Sequence, residues 1–305
     1  MAGIKTTGMN INRFFLALVS ILLLGCENAE TSTFQRQHTN VASICLEALP
    51  APVRLEGGDV HMGSDGAYPE ERPMRKVSIS SFEIDASEIT NRQFSNFIEE
   101  TGYITDAERS QPGFDVPGGA VLSPPSAGSP SSWRFVEGAN WQHPEGPDST
   151  IEGRSLEPVV QVTLNDARAY ANWAGRRLPV EIEWEFAAKA GANTLYVWGD
   201  ERAPDGKEKA NTWQGAFPIE NTMADGFELR APIGCYEPNA FGLYDMIGNV
   251  WEWTDTEWGD GQSYVIKGGS FLCSENFCRR YRASAKQAQE ANLSTNHIGF
   301  RTVKH

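Results

Sequence analysis

The chain has 305 residues and a mass of 33.6 kDa, and 26 Lys and Arg against 40 Asp and Glu give a net charge of −14. This balance argues against nucleic-acid binding, because phosphate contacts need clustered cations. Apolar residues make up 40 %, with 15 Phe and 9 Trp, which is enough for a folded core and argues against global disorder. Five cysteines are too few for a disulfide-built scaffold of this length.

Residues 1–25 are predicted to be a lipoprotein-type signal peptide. Lys5 and Arg13 form a basic start, and the apolar run Phe14–Leu24 is well short of the roughly 20 residues of a membrane-spanning helix. The run ends in Leu-Leu-Gly-Cys26, which resembles a bacterial lipobox whose cysteine is acylated. An ordinary signal peptide with an incidental Cys26 is the alternative. The lipobox predicts a membrane-anchored lipoprotein on the periplasmic or outer-membrane side of a bacterial envelope.

Residues 26–52 are predicted to be a flexible tether, and residues 53–305 a single domain. Positions 27–40 are polar and offer too little apolar surface to fold. Cys45 and Cys235 have no evident role, and whether they pair is open. Residues 111–132 are dense in Pro and Gly and are predicted to form a long surface loop.

Three helices stand out by their caps and by the spacing of their apolar residues. Thr90 opens a capping box before the first helix. The second is predicted over Asp166–Ala174 and the third over Glu181–Ala190, and Val77–Ile84 alternates like a strand. The rest predicts an α+β domain with little regular secondary structure. The predicted ends of the helices are the glycines Gly102, Gly175 and Gly191.

Cys273 and Cys278 are the first candidates for a functional site. Residues at this spacing share neither a helix face nor a strand face, so the two can meet only across a bulge or loop. Two thiolates that meet form a soft, two-coordinate site that selects Cu(I). The arginines that follow would favour thiolate character. A plain disulfide is the alternative, and the spacing by itself favours it in an oxidising compartment. Those arginines are Arg279, Arg280 and Arg282.

Two further segments, 211–227 and 244–253, carry Asp, Asn and Glu beside glycines. Carboxylate, amide and main-chain oxygens are the ligands that Ca²⁺ prefers. Neither segment matches an EF-hand loop. Solvated surface acids and turn asparagines are the alternative that spacing alone favours.

From about Val53 to Arg301 the chain resembles the formylglycine-generating enzymes, also called sulfatase-modifying factors. The cysteine pair and the Gly138–Ser149 stretch resemble the catalytic branch, whereas the other motifs are superfamily-wide. The resemblance implies a single irregular α+β domain of the formylglycine-generating enzyme or C-type-lectin-like type. The superfamily motifs are Glu88-Ile89-Thr90-Asn91, Trp173-Ala174-Gly175-Arg176-Arg177-Leu178-Pro179, the Gly242–Trp253 run and Ile298-Gly299-Phe300-Arg301.

The resemblance implies a copper-dependent oxidase. Such enzymes use O2 and a reductant to convert the cysteine of a Cys-X-Pro-X-Arg motif, in an unfolded sulfatase polypeptide, to Cα-formylglycine. By this resemblance Cys273 and Cys278 would bind Cu(I), and Ser270 would be the active-site serine. An acidic protein would also suit the arginine of the substrate motif.

Three more residues are expected at the substrate groove by the same resemblance. Trp141 and Glu88 match positions that line it, although Trp141 would equally suit core packing. His297 stands where some relatives have Asn. It is predicted to bind the substrate, with a pH-sensitive role or simple packing as alternatives.

The resemblance also implies two calcium sites. The first would use the side chains of Asn211 and Asp225 with the carbonyls of Thr212 and Phe227. The second would use the side chains of Asp245 and Glu252 with the carbonyls of Gly248 and Val250.

Two other functions are weighed against the oxidase. One is a non-catalytic binding or scaffold member of the same superfamily, which would have no need of the cysteine pair. The other is an iron-dependent sulfoxide synthase, which needs a facial set of histidine ligands. The five histidines of this chain lack close helical spacing, so the iron enzyme is the weaker alternative.

Overall fold

The computed structural model describes residues 45–110, 115–123 and 131–305. These residues belong to one compact unit, Asn40–His305. The predicted signal peptide and the acylation site Cys26 lie outside the described residues. Within the described ranges, no helix combines the length and apolar character needed to cross a membrane.

All three predicted helices form, as α1 (Asn91–Thr101), α2 (Leu164–Trp173) and α3 (Glu181–Lys189). The Thr90 hydroxyl accepts from the backbone N–H of Gln93, whose side chain accepts in return from the Thr90 N–H at 3.0 Å. This reciprocal capping box confirms the predicted start of α1, and Gly102 ends the helix in the left-handed conformation. Helix α2 begins two residues early, because Thr163 caps it together with Asp166.

Helix α3 ends one residue before the predicted boundary. Ala190, and not Gly191, is the first left-handed residue after the helix, with φ 46°. An alanine there costs about 1 kcal/mol. The Asn239 side chain offsets this cost, since its amide donates to the carbonyls of Ala187 and Ala188 at 2.8 and 3.1 Å. Those carbonyls lack partners within the helix. A local sequence pattern does not reveal the contact, because Asn239 is distant in the sequence.

The predicted strand at 77–84 is two strands. Residues Arg75–Ile79 form β3 and Phe82–Ile84 form β4, with β1 (Val53–Leu55) and β2 (Gly58–Met62) before them. Strand β3 pairs with β2, whereas β4 lies between β1 and β11 (Val303–Lys304). The chain passes from one sheet to another between β3 and β4. The alternation of apolar and polar residues over 77–84 therefore continues across strands of two different sheets.

The glycine-rich stretch 111–132 is not wholly a surface loop. Gly118–Ser123 forms strand β5, which pairs antiparallel with β6 (Ser132–Glu137), and Gly118 and Gly119 are buried. A Cβ at Gly119 would lie 2.1 Å from the side-chain oxygen of Gln161. These glycines therefore permit close packing of a strand. A high glycine content by itself does not distinguish a closely packed strand from a turn. Positions 111–114 and 124–130 lie outside the described residues.

The largest sheet has the order β10-β7-β8-β9. Its strands are β7 (Trp251–Glu257), β8 (Ser263–Lys267), β9 (Lys286–Glu290) and β10 (Ile298–Gly299), and only the β10–β7 pair is parallel. The main core packs between the helices and this sheet. Its largest fully buried rings are Trp184, Trp251, Trp253, Tyr281, Phe82, Phe94 and Phe300. The predicted fold class, α+β with much irregular backbone, is confirmed.

Cys45 and Cys235 form a disulfide, with an S–S distance of 1.98 Å. Leu46 packs closely on Gly234, where an added Cβ would meet its side chain at 2.5 Å. The chain is therefore attached to the domain already at Cys45, ahead of the predicted boundary at Val53. Sequence alone left this pairing open.

Candidate active site

Cys273 and Cys278 meet in an irregular loop between β8 and β9. Their sulfur atoms lie 3.0 Å apart, and both cysteines are free and buried. The turn is closed by hydrogen bonds from the Cys273 N–H to the Ser270 carbonyl at 2.9 Å and from the Cys278 N–H to the Ser274 carbonyl at 3.2 Å. The predicted meeting of the two cysteines across a loop is confirmed. The distance is that of a shared S–H···S contact, about 1 Å longer than a disulfide.

The two thiols differ in acidity. Burial and the bond to its partner raise the pKa of Cys273 well above its usual value. The hydrogen bond from Cys273 lowers the pKa of Cys278 to about 7, with help from the Arg280 N–H and guanidinium. The pair thus holds one thiolate near neutral pH and shares the remaining proton, which suits binding of a soft cation.

The two sulfurs line a cavity of about 330 Å³, called here the thiol pocket. Its rim carries exposed rings, with Phe277 65 % and Trp133 48 % exposed. Arg280 is the one charged side chain among its described lining residues, and it is paired with Glu70 at 2.7 Å. The lining is Leu122, Trp133, Phe217, Trp251, Ser270, Leu272, Cys273, Phe277, Cys278, Arg280, Gln287 and His297.

Of the three predicted thiolate-stabilising arginines, only Arg280 lines the thiol pocket. Arg282 instead forms a buried ion pair with Glu71 at 2.5 Å. Arg279 contacts the hydroxyl of Tyr196. The run of three cations therefore serves three different purposes.

Ser270 and His297 are brought to the thiols, as predicted. Ser270 is fully buried from bulk solvent, yet it lines the thiol pocket, and its hydroxyl accepts from the Leu272 N–H at 3.3 Å. His297 forms part of the opposite wall, where its ring lies 4.9 Å from that of Trp133. Burial and the nearby Arg230 lower the pKa of His297 to about 3.

Trp141 and Glu88 are not among the described residues that line the thiol pocket. Trp141 is 3 % exposed and packs edge-on against Phe94 at 5.5 Å, which is the core-packing alternative. Glu88 is fully buried and accepts from the Asn249 side chain at 3.1 Å. Both residues are buried in the structure, and the substrate-binding role predicted for them stays a prediction.

The first predicted calcium segment gathers oxygen atoms around one point. The Gln214 side-chain amide donates to the Asp225 carboxylate at 2.7 Å, to the Thr212 hydroxyl at 3.4 Å and to the Thr212 carbonyl. The side-chain oxygen of Asn211 is buried without a partner. Asp225 also accepts from the Phe227 N–H at 3.0 Å, so the Phe227 contact is through nitrogen. An amide donor surrounded by three oxygens stands where a hard cation would sit, so these residues fit calcium.

The second segment belongs to a buried cluster, called here the acid centre: Glu88, Asp245, Glu252 and Arg301. Arg301 donates to both carboxylate oxygens of Glu252, at 2.7 and 2.8 Å. Asp245 accepts from the Gly234 N–H at 2.6 Å. Burial raises the pKa of Asp245 to about 6, and that of Glu88, whose second oxygen has no partner, well above its usual value.

Three acids against one cation leave the acid centre short of positive charge, which fits a divalent cation. Gly248 and Val250 lie beside it on the turn that leads into β7, and both are buried. No three His, Cys, Asp or Glu side chains of the described ranges converge on one point. Calcium at either segment would therefore need the amide and main-chain oxygens of the prediction in addition to its carboxylates.

The comparisons with known proteins agree with this geometry. A family model described as "Sulfatase-modifying factor enzyme 1-like domain" matches residues 37–305. The chain belongs to this family. The "Formylglycine-generating enzyme" of Mycobacterium tuberculosis is 43 % identical over 82 % of this chain and 96 % of its own. The "Inactive C-alpha-formylglycine-generating enzyme 2" of Bos taurus is 36 % identical over 82 % of this chain and 86 % of its own.

A solved structure shares the fold of the family. PvdO from Pseudomonas aeruginosa matches with a TM-score of 0.60 and 23 % identity, over 84 % of this chain and 94 % of that one. At that identity the likeness shows the fold alone.

Sequence reasoning missed most of the pocket wall. Trp133, Phe217 and Phe277 lie in stretches for which no helix or strand was predicted. Gln287 lies on β9, a strand that was not predicted either. Arg230 was also missed, although it is 4 % exposed and forms the base of the His297 wall. The available signal was an isolated arginine in an apolar stretch, which is weak by itself.

Proposed function

We propose that this protein oxidises the cysteine of a Cys-X-Pro-X-Arg motif in a sulfatase polypeptide to Cα-formylglycine. O2 is the oxidant, and a reductant supplies the electrons that O2 needs beyond those taken from the cysteine. Cu(I) is held between Cys273 and Cys278. One observation carries the proposal: two free, buried thiols 3.0 Å apart line a pocket whose rim is exposed. A module that only binds has no need of this arrangement.

The donor set fits Cu(I), because two thiolates are soft ligands. Bound copper would supply the redox chemistry that side chains lack. The protein's own part is to keep one thiolate available near neutral pH, to leave one side of the thiols facing the pocket and to position the polypeptide. The aromatic rim excludes water from a bound peptide. Ser270 adds a hydroxyl at the base of the pocket.

The substrate is an extended or unfolded polypeptide in this proposal. Exposed rings at the rim suit a chain that presents apolar side chains and backbone. The described lining contains no carboxylate, so the pocket itself offers no ion-pair partner for the motif arginine. A partner for it would have to lie beyond this lining.

The proposal includes calcium and an envelope location. Calcium at the two acidic segments would stabilise the domain. The predicted acylation of Cys26 would anchor the protein to a membrane outside the cytoplasm, so copper and the client sulfatase would meet it there. Labelling with a radioactive fatty acid, with Cys26→Ser as the control, would test the anchor.

A second candidate is a non-catalytic member of the family. A relative named as inactive, 36 % identical, supports keeping it. The two candidates differ at the cysteines, since only an oxidase loses its function when one of them is replaced.

The deciding experiment incubates the purified protein, loaded with Cu(I), with a Cys-X-Pro-X-Arg peptide, O2 and a mild reductant. Mass spectrometry reports the conversion of thiol to aldehyde, and Cys273→Ser is run alongside. We expect conversion that vanishes in the variant. Peptide binding without conversion, with copper bound and the fold intact, would instead favour the non-catalytic member.

A further inference from the structure

His297 lines the thiol pocket, and only one of its two ring nitrogens has a described partner. Its Nδ1 lies 2.8 Å from the hydroxyl of Thr295, which is itself 3 % exposed. The ring packs beside Trp133, and the His297 carbonyl accepts from the Trp251 N–H at 2.9 Å. Nε2 has no hydrogen-bond partner among the described residues, and His297 is one of the residues that line the thiol pocket. Nε2 is therefore the ring nitrogen that could serve a ligand there.

Arg230 supports this wall from behind. Its guanidinium donates to the carbonyl of Asn296 at 2.9 Å and lies 2.7 Å from the carboxylate of Glu145. The Asn296 side chain in turn bridges the backbone of Leu122, at 3.2 Å to its N–H and 3.4 Å to its carbonyl. One buried arginine thus fixes two neighbouring parts of the pocket wall.

The charges around His297 oppose a second proton on its ring. Arg230 lies behind the ring, and across the pocket the charged or titratable groups are Arg280 and the thiols Cys273 and Cys278. The described lining holds no carboxylate that would stabilise an imidazolium. Glu145 is already paired with Arg230. A neutral imidazole is what this arrangement of charges supports.

We propose that Thr295 and Arg230 hold His297 as a neutral Nε2–H donor for a backbone carbonyl of the polypeptide in the thiol pocket. In this proposal the Thr295 hydroxyl is the donor to Nδ1, and the ring proton is on Nε2. A peptide that enters this ring-lined pocket loses water from its carbonyls, and each one then needs a donor. Arg230 is a positioning residue, because it acts through Asn296 and through its charge. The inference rests on the proposed function and assigns His297 and Arg230 their parts in it.

The first test observes the imidazole directly. The full protein is labelled with 15N-histidine, and long-range 1H–15N spectra are recorded between about pH 5 and 8, the range in which an ordinary histidine titrates. His297→Asn identifies the signals. We expect a neutral ring protonated at Nε2 throughout this range. A proton on Nδ1, or a titration midpoint near 6.5, would overturn the proposal.

The second test measures binding without chemistry. A peptide with Ser in place of the reactive Cys is titrated into the protein. His297→Phe should weaken its binding about tenfold, the effect of one lost hydrogen bond. His297→Asn keeps an N–H donor and should bind within about threefold of the wild type. His61→Phe, a change at an exposed histidine outside the pocket lining, is the control.

The positioning role has its own variants. Thr295→Val removes the partner of Nδ1 without changing any charge, and should let the Nδ1–H tautomer appear in the spectra. Arg230→Met should move the His297 titration upward, and Arg230→Lys should restore the low value. If His297→Phe binds the peptide as tightly as the wild type, the donor role is wrong. A wild type that binds no peptide would contradict the proposed function, while the spectra would still report the state of the ring.

Discussion

The thiol pocket and the acid centre both bury polar groups, but they treat them in opposite ways. In the acid centre Arg301 and Trp184 together occupy both oxygens of Glu252, at 2.7 to 2.8 Å. In the thiol pocket the two sulfur atoms contact each other at 3.0 Å and both cysteines line the cavity. Nε2 of His297 has no described hydrogen-bond partner. The paired oxygens of Glu252 stabilise the fold, whereas groups left without a partner, which include Glu88 Oε2 in the acid centre, are available to a ligand.

The acid centre and the thiol pocket also differ in their balance of charged side chains. The acid centre has three acids and one cation, so its deficit is met by raised pKa values or by a bound cation. The thiol pocket has one cation and no carboxylate in its described lining, which favours thiolate over thiol at Cys278. The comparison predicts that damage to the acid centre lowers stability, and damage to the pocket lowers activity.

The largest expected effect is the loss of activity when one thiol is replaced. Cys273→Ser should reduce conversion of a Cys-X-Pro-X-Arg peptide at least about 10⁴-fold, or roughly 5 kcal/mol on the barrier. The thermal midpoint should stay close to that of the wild type, because serine is smaller and fits the same site. Mass spectrometry and a melting curve on one preparation check both statements. Retained conversion would contradict the assignment of the copper ligands.

Next in size is the loss of stability when the cation of the acid centre is removed. Arg301→Met leaves Glu88, Asp245 and Glu252 buried without their counter-charge, and should cost about 3 to 5 kcal/mol. Urea unfolding measures this. Asp59→Asn, which breaks an exposed pair with Lys76 at 2.6 Å, is the matched control and should leave the transition unchanged. Equal effects of the two variants would contradict a special role for the acid centre.

The sequence predicted what is local and missed what is assembled from distant residues. The Thr90 capping box and the presence of three helices follow from caps and spacing, and both are confirmed. The meeting of Cys273 and Cys278 also followed from their spacing. By contrast, Arg230 reaches the His297 wall across 66 positions of sequence, so no periodicity reports it. Glu88 shows the converse, since a family motif indicated the residue but not that it is fully buried.

A smaller effect is expected from calcium. If calcium binds the folded domain alone, free calcium at about 100 times the Kd stabilises it by about 2.7 kcal/mol. Adding a chelator should then lower the melting temperature by roughly 5 to 10 °C. Asp225→Asn should reduce this response, because Asp225 is a predicted ligand at the first segment. Asp260→Asn, in a surface turn where the carboxylate accepts from Gln262 and Ser263, should keep it. An unchanged midpoint in the chelator would contradict calcium at both segments.

The smallest effect is a shift in the pH at which one thiol reacts. In the metal-free protein the thiolate form of Cys278 is stabilised by the Cys273 thiol and the Arg280 N–H, with a pKa of about 7. Alkylation by iodoacetamide requires the thiolate, so its rate at Cys278 should rise through a midpoint near pH 7. An unperturbed cysteine has its midpoint near 8.5. Cys273, whose pKa is raised by burial, should react later and more slowly. Peptide mapping separates the two sites, and Cys273→Ala should move the Cys278 midpoint upward because the hydrogen bond from the thiol is lost. Equal midpoints at both cysteines would show that the pair does not share its proton as described.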